Sequence, residues 1–243
     1  MNESLFFIIL SLFLLGGIGI YLSEKRSNAL ERKKNWVKYF MYLFIITSLL
    51  ACIYLAKKLF PLVCLLIIFA GLFEIIRLQK KASSQRRIIF YSILFVYLLI
   101  SVLFFLFSSL SQTVLLFTLF TVCSFDAFCQ ITGRLFGKRK ICPQLSPNKT
   151  VEGLVGGIII SIGIFFIVGK IMNMSISHTI VMGLGICLLA FFGDLSASWI
   201  KRRYGVKDFS SALPGHGGFL DRFDSFIVSG AFVKIFNLFI QVS

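Results

Sequence analysis

Long apolar segments constrain this chain more than any other feature of its sequence. A helix needs about 20 apolar residues to cross the hydrocarbon core of a bilayer. Because lipid offers the backbone no hydrogen-bond partners, each such segment must form a helix. The 243 residues therefore predict an all-α, polytopic integral membrane protein with about eight transmembrane helices. The expected spans are Leu5–Leu22, Val37–Ala56, Leu59–Leu78, Ile88–Ser108, Thr113–Ile131, Gly153–Ile171, Thr179–Ile200 and Ser225–Val242.

The basic residues predict the orientation of these spans. Of the 25 Lys and Arg residues, 20 lie in or at the edge of four alternate loops, three in or at the edge of the loops between them, and the remaining two inside spans. Basic loops stay on the cytoplasmic side, so both termini are expected outside and the basic loops inside. The polar loops that carry candidate functional groups are therefore expected to face the cytoplasm. A nucleic-acid surface would not alternate with apolar spans, so the net charge of +15 does not indicate nucleic acid.

The two halves of the chain differ in their polar content. All five Asp residues lie after residue 122. Within the spans before that residue, Glu74 is the only acid, and we expect it to form a local ion pair with Arg77. We therefore divide one integral domain into an N-terminal transmembrane scaffold, 1–122, and a C-terminal catalytic part with cytoplasmic loops, 123–243.

Two acids lie inside predicted spans, where an ionisable side chain is a functional hypothesis by default. Asp126 and Asp194 each precede the cytoplasmic end of a span by about one and a half turns. Asp194, Ser198 and Lys201 follow at i, i+4 and i+7, which places them on one helix face. The alternative is a pair of buried acids satisfied by Ser, Thr or Lys neighbours.

The loop before the last span combines glycine, histidine and paired acids. Asp221 and Asp224 are three residues apart on a first helical turn, after His216 and two glycines. Backbone N–H groups at such a turn can bind an anion, and paired carboxylates suit Mg²⁺ together with phosphate oxygens. The alternative is that both acids only complement the helix dipole.

The loop after the fifth span is basic and contains a helix-start pattern. Ser146 followed by Pro147 predicts a helix N-cap and first position, so Lys149 and Thr150 would project from the first turn toward a triphosphate. The alternative is a positive-inside loop with a capped helix.

The segment from Ser198 to Asp224 resembles the signature of the CDP-diacylglycerol synthase family, the phosphatidate cytidylyltransferases. The earlier Asp126, Gly133–Lys138 and Ser146–Thr150 also resemble that family, although Asp126 is followed here by Ala-Phe-Cys-Gln instead of the usual Thr/Ser-Gly-Ala-Tyr. The signature positions are Ser198, Ile200, Lys201, Arg202, Lys207, Asp208, Ser210, Leu213, Pro214, His216, Gly217, Gly218, Phe219, Asp221, Arg222, Phe223 and Asp224.

The resemblance implies transfer of a cytidylyl group from CTP to phosphatidate in the inner leaflet, giving CDP-diacylglycerol and pyrophosphate. The expected catalytic residues are Asp194, Asp221 and Lys201, and Mg²⁺ is expected on Asp194, Asp221 and Asp224, with a second metal ion left open. The expected substrate-binding residues are Asp126, Ser146, Lys149, Thr150, Ser198, Arg202, Lys207, Asp208, His216 and Arg222.

Two alternatives to this function remain at this stage. One is CTP-dependent transfer to another membrane lipid, such as an isoprenoid-ether phosphatidate or a polyprenol. The other is a transporter, although transporters place their charged sites near the bilayer midplane. The expected partners are CTP, phosphatidate and membrane lipids, without nucleic acid, and a homodimer is one oligomeric state left open.

Overall fold

The computed structural model describes residues 29–80, 87–213 and 217–242, and its regular elements there are helices and one small hairpin. A 3-10 turn, Lys57–Leu59, separates the first two helices. The helices are α1 (Ala29–Leu55), α2 (Phe60–Lys80), α3 (Arg87–Phe107), α4 (Gln112–Phe136), α5 (Val151–Ile171), α6 (Ile176–Arg203) and α7 (Leu220–Val242), and the strands are β1 (Lys140–Cys142) and β2 (Ser146–Thr150).

The helices agree with the predicted membrane segments where the two can be compared. Within the described ranges, five segments are long and apolar enough to cross a bilayer, and these comprise α3 to α6 and the stretch Lys57–Gln79. The apolar part of α1 is shorter, Tyr39–Leu55. The predicted first span, Leu5–Leu22, lies outside the described residues. The helical membrane protein is thus confirmed, whereas the number of eight spans and the outward termini stay predictions.

Aromatic packing joins the last helix to the N-terminal half. Phe104 and Phe107 of α3 stack with their ring centroids 6.0 Å apart, and Phe226 of α7 meets Phe104 edge-on at 5.5 Å. Gly230 leaves room for this contact, because a Cβ there would lie 2.7 Å from the Phe104 ring. Aromatic side chains that pack together bury large apolar areas against each other. This packing holds α7, the helix that carries Asp221 and Asp224, against α3.

Small residues bring α4 and α5 into close contact. A Cβ at Gly157 would lie 2.3 Å from the Cys129 sulfur, and one at Gly156 would lie 2.8 Å from the Thr132 side chain. The Thr132 hydroxyl donates to the Gly153 carbonyl at 3.0 Å. Small residues at helix interfaces in membranes permit such backbone approach. Cys129, one of the residues that departs from the family pattern, therefore packs against the glycine face of α5.

The prediction of a helix starting at Ser146 and Pro147 is wrong, although the fold as a whole is the helical one expected. Ser146–Thr150 is a strand paired antiparallel with Lys140–Cys142. The helix begins at Val151, and its N-cap is Thr150, whose hydroxyl accepts from the Gly153 N–H at 3.1 Å. Thr150 is also a favoured N-cap residue, so the helix can begin after it instead. Pro147 is exposed at the edge of a two-stranded hairpin, where its missing N–H costs no strand-pairing hydrogen bond.

Candidate active site

Asp194 and Lys149 form an ion pair beside the cytoplasmic end of α6, as that end is predicted from the basic loops. The Lys149 Nζ lies 3.0 Å from Asp194 Oδ2, and the side chains are 16% and 41% exposed. The Ser198 hydroxyl, one turn on, donates to Asp194 Oδ1 at 3.4 Å, which is long for an O–H···O bond. The stripe of Asp194 and Ser198 predicted from spacing is therefore present, and Asp194 is accessible to a ligand.

Lys149 is held in place by more than its acid. Its ammonium donates to the Phe191 carbonyl at 3.4 Å and lies 4.5 Å from the centre of the Phe191 ring. A cation over an aromatic face gains electrostatic attraction. These contacts fasten β2 to α6. They also hold the Lys149 ammonium beside Asp194, which the sequence analysis placed inside the seventh span.

Further charges from three elements interact electrostatically with this pair. Asp126 of α4 interacts electrostatically with Asp194, Lys149 and Arg222. Asp224 of α7 interacts with Asp194, Lys201 and Asp126. We call the following set the charged cluster: Asp126, Lys149, Asp194, Lys201, Arg222 and Asp224. Three cations partly balance three acids in this set.

Asp221 is engaged by protein groups on both of its oxygens. Its Oδ1 lies 2.6 Å from the Lys201 Nζ, and its side chain is 1% exposed. Its Oδ2 accepts from the backbone N–H groups of Phe209 and Gly218 at 2.9 and 2.8 Å. Lys201 thus pairs with Asp221 across 20 residues rather than with Asp194 on its own helix face. The carboxylate that the sequence assigned to a metal ties the α6–α7 connection to the start of α7.

Glu74 is a residue of the site region whose role the sequence analysis did not find. It is buried in α2, and it accepts hydrogen bonds from the Phe219 and Leu220 N–H groups at 2.9 and 2.8 Å and from the Ser210 hydroxyl. The expected local ion pair with Arg77 is wrong, because its carboxylate faces the N–H groups at the start of α7. The rule that singled out Asp126, an acid inside a membrane span, would have selected Glu74 too.

A second residue of the N-terminal half also reaches the charged cluster. Tyr42 of α1 lies near the Cys123 thiol and interacts electrostatically with Asp126 and Arg222. Nothing in the local sequence around Tyr42 distinguishes it from the other aromatic residues of the spans. The polar site therefore draws on both halves of the chain.

The other predicted substrate-binding residues differ in their contacts and exposure. Arg202 donates from Nε to the Leu145 carbonyl at 3.3 Å, so it braces the hairpin. Lys207, Asp208 and Arg222 are exposed, Ser146 is half-buried and Thr150 is buried. His216 lies outside the described residues.

The acids of the charged cluster supply only part of the ligand shell that a divalent cation needs. Across residues 29–80, 87–213 and 217–242, no three His, Cys, Asp or Glu side chains converge closely enough to hold a metal ion. Mg²⁺ commonly takes only one or two carboxylates, with water and substrate phosphates completing its shell. Asp194, which is accessible, could supply one such carboxylate, and Asp224 interacts with it electrostatically.

Comparison with known proteins adds independent information. The model of the cytidylyltransferase family matches residues 87–240. The phosphatidate cytidylyltransferases of Staphylococcus saprophyticus and Bacillus subtilis are 45% and 41% identical over 115 and 117 residues, or 46% and 47% of this chain. The match covers 44% of each of those two proteins, so the chain spans under half of their length. The phosphatidate cytidylyltransferase of Aquifex aeolicus is 32% identical over 225 residues, 92% of this chain and 81% of that protein.

Proposed function

The chain belongs to the cytidylyltransferase family, and from this premise we propose that it transfers a cytidylyl group from CTP to phosphatidate, giving CDP-diacylglycerol and pyrophosphate. One observation carries the proposal: an accessible Asp194 is paired with Lys149 among further acids and cations from α4, α6 and α7. Such a cluster can bind a triphosphate and a lipid phosphate together. The names of the relatives support phosphatidate as the acceptor.

The proposed reaction needs no covalent enzyme intermediate. A phosphate oxygen of phosphatidate attacks the α-phosphorus of CTP, the bond to the β-phosphate oxygen breaks, and pyrophosphate leaves. Catalysis of this kind depends on positioning and on charge neutralisation. Lys149 would exchange its contact with Asp194 for a substrate phosphate, and Arg202, Lys207 and Arg222 would bind the other phosphates. Ser146, Thr150 and Ser198 are the hydroxyls that would accompany them.

We propose that Mg²⁺ is held by Asp194, with Asp224 beside it and Asp126 within electrostatic reach. When bound, the ion would neutralise phosphate charge. Asp221 is the third acid predicted as a ligand, but both of its oxygens already have partners. It would therefore act indirectly, by holding Lys201 at the site. A second metal ion and roles for Asp208 and His216 stay predictions.

The proposed topology has eight spans, both termini outside and the charged cluster on the cytoplasmic side of a bacterial inner membrane. The alternation of basic loops supports this orientation, and the bacterial relatives support the compartment. Cytosolic CTP would then reach Lys149 and Asp194 directly. The homodimer stays a prediction, which light scattering of the purified protein in detergent measures.

The test is turnover by purified protein in detergent micelles that contain phosphatidate and CTP labelled at the α-phosphate. We expect label in the lipid phase and one pyrophosphate released per labelled lipid. Label only on an isoprenoid-ether phosphatidate or a polyprenol acceptor would assign another lipid transferase. No turnover of any acceptor would refute the proposal, whereas turnover without a gradient argues against transport.

Two lysine variants provide a matched comparison for this assay. Lys149→Gln should lose at least about a hundredfold in kcat/KM, because it removes a charge-assisted contact to phosphate. Lys170→Gln removes the same charge from an exposed position in the last turn of α5, at the end of that helix opposite β2. We expect normal turnover from Lys170→Gln.

A further inference from the structure

Glu74 is a buried carboxylate that the proposed reaction does not use. It is 3% exposed, and its position in α2 is 145 residues before its partner Phe219. The two ion pairs found in the described part of the chain join Lys149 to Asp194 and Lys201 to Asp221. Glu74 belongs to neither pair, so hydrogen-bond donors must offset the cost of burying its carboxylate.

The donors to Glu74 are those that a helix start leaves unsatisfied. The first N–H groups of a helix have no partner within the helix, and a negative charge is favourable there. The Phe219 carbonyl accepts from the Arg222 N–H at 2.9 Å, so Phe219 stands at the cap position of α7. Glu74 binds the N–H groups of Phe219 and Leu220 and thereby caps α7 from another helix.

A second carboxylate binds the adjacent backbone N–H groups. Asp221 binds the N–H groups of Phe209 and Gly218, while Glu74 binds the next two N–H groups along the chain. We call these two acids with the backbone of residues 209 and 218–220 the carboxylate clamp. Gly218 leaves room for the Glu74 carboxylate, because a Cβ there would lie 2.6 Å from Glu74 Oε1 and would displace it.

The contents of the clamp connect it to the charged cluster. Asp221 pairs with Lys201, and Asp224 and Arg222 lie in the same first turns of α7. A shift of the N-terminus of α7 would move these groups together, whereas catalytic geometry tolerates displacements of well under 1 Å. Glu74 contacts none of the reacting groups, so its effect must act through the position of α7.

We propose that Glu74 is a positioning residue, which fixes the N-terminus of α7 and thereby places Lys201, Arg222 and Asp224 for catalysis. The inference deepens the proposed function and, in its catalytic consequence, rests on it. It also gives the N-terminal half of the chain a direct part in shaping the site.

Hydrogen–deuterium exchange of the full chain in detergent tests the clamp without any turnover. In Glu74→Gln the side-chain NH₂ group or a single oxygen must face N–H donors, so peptides covering 217–221 should exchange about tenfold faster or more. Arg77→Gln, one turn away on α2 and exposed, is the matched control and should exchange like the wild type. Unchanged exchange in Glu74→Gln would overturn the clamp.

Kinetics then tests positioning. We expect Glu74→Gln to lower kcat at least about tenfold while the KM for CTP changes less than about threefold, because transition-state geometry is lost more than ground-state binding. A residue needed only for folding would reduce the amount of folded protein and leave kcat per folded molecule unchanged. That second result would refute positioning.

A double-mutant cycle adds a readout specific to the contact. Gly218→Ala should lower kcat about tenfold in the wild-type background, since its Cβ meets the Glu74 carboxylate, but less than about twofold in the Glu74→Ala background, where that space is open. Equal effects in both backgrounds would contradict the contact. A wild type without turnover refutes the proposed function and the catalytic consequence, whereas the exchange measurement still decides the clamp.

Discussion

Replacing Asp221 by Asn separates a structural carboxylate from a metal ligand. The Asp221 side chain is 1% exposed and lies 2.6 Å from the Lys201 Nζ, whose own side chain is 12% exposed. Asn keeps one carbonyl oxygen for the Phe209 and Gly218 N–H groups, so the main loss is the charge opposite a buried ammonium. Removing one member of a buried ion pair costs about 3–5 kcal/mol, a large part of a typical stability of about 5–15 kcal/mol.

Unfolding by increasing SDS mole fraction in mixed micelles, followed by circular dichroism, measures this loss. We expect Asp221→Asn to lower the unfolding free energy by about 3–5 kcal/mol, and to lose activity that excess Mg²⁺ does not restore. Lys201→Met should cost less, because the remaining Asp221 carboxylate keeps two backbone donors. Lys170→Gln again serves as the control for charge removal.

The opposite pattern would refute this reasoning. If Asp221→Asn unfolds within about 1 kcal/mol of the wild type and regains activity at raised Mg²⁺, Asp221 is a metal ligand and its pairing with Lys201 contributes little. Lys201→Met then serves as a second check. If Asp221 is a metal ligand, losing the lysine should lower kcat strongly while it changes the unfolding free energy little.

Three further predictions concern the metal and the orientation. Asp194→Asn should fold normally yet lower kcat by about a hundredfold or more and weaken Mn²⁺ binding measured by electron paramagnetic resonance; unchanged Mn²⁺ binding would remove Asp194 from the metal site. EDTA should abolish turnover and Mg²⁺ restore it, and full turnover by metal-free protein would exclude the metal. A membrane-impermeant thiol reagent should label Cys142 in inverted vesicles and not in intact cells, with Cys142→Ser as the control; labelling in intact cells would reverse the topology.

Patterns confined to one helix or one loop predicted their local outcome with mixed success. The i, i+4 spacing of Asp194 and Ser198 predicted a contact that the structure contains. The Ser146-Pro147 pattern predicted a helix, but pairing with Lys140–Cys142 made it a strand. Strand pairing depends on a partner segment as well as on the segment itself, which is why the local pattern failed there.

The choice of partner for each buried charge could not be read from spacing. Lys201 is seven residues from Asp194 and 20 from Asp221, and it pairs with the distant acid. Glu74 has Arg77 one turn away, yet it binds the N–H groups of α7. A short helical spacing brings two side chains within reach, but it does not determine which of several buried donors needs an acceptor most.

Residue order by itself determined the helical membrane character, through apolar runs of about 20 residues, and the family, through the spaced residues between Ser198 and Asp224. Tertiary structure alone decided that Glu74 of the first half binds the start of α7 and that Asp221 faces Lys201. The reason is physical: hydrophobicity and helical period act over neighbouring residues, whereas the satisfaction of a buried charge depends on whichever groups the packing of α2, α6 and α7 brings within 3 Å of it.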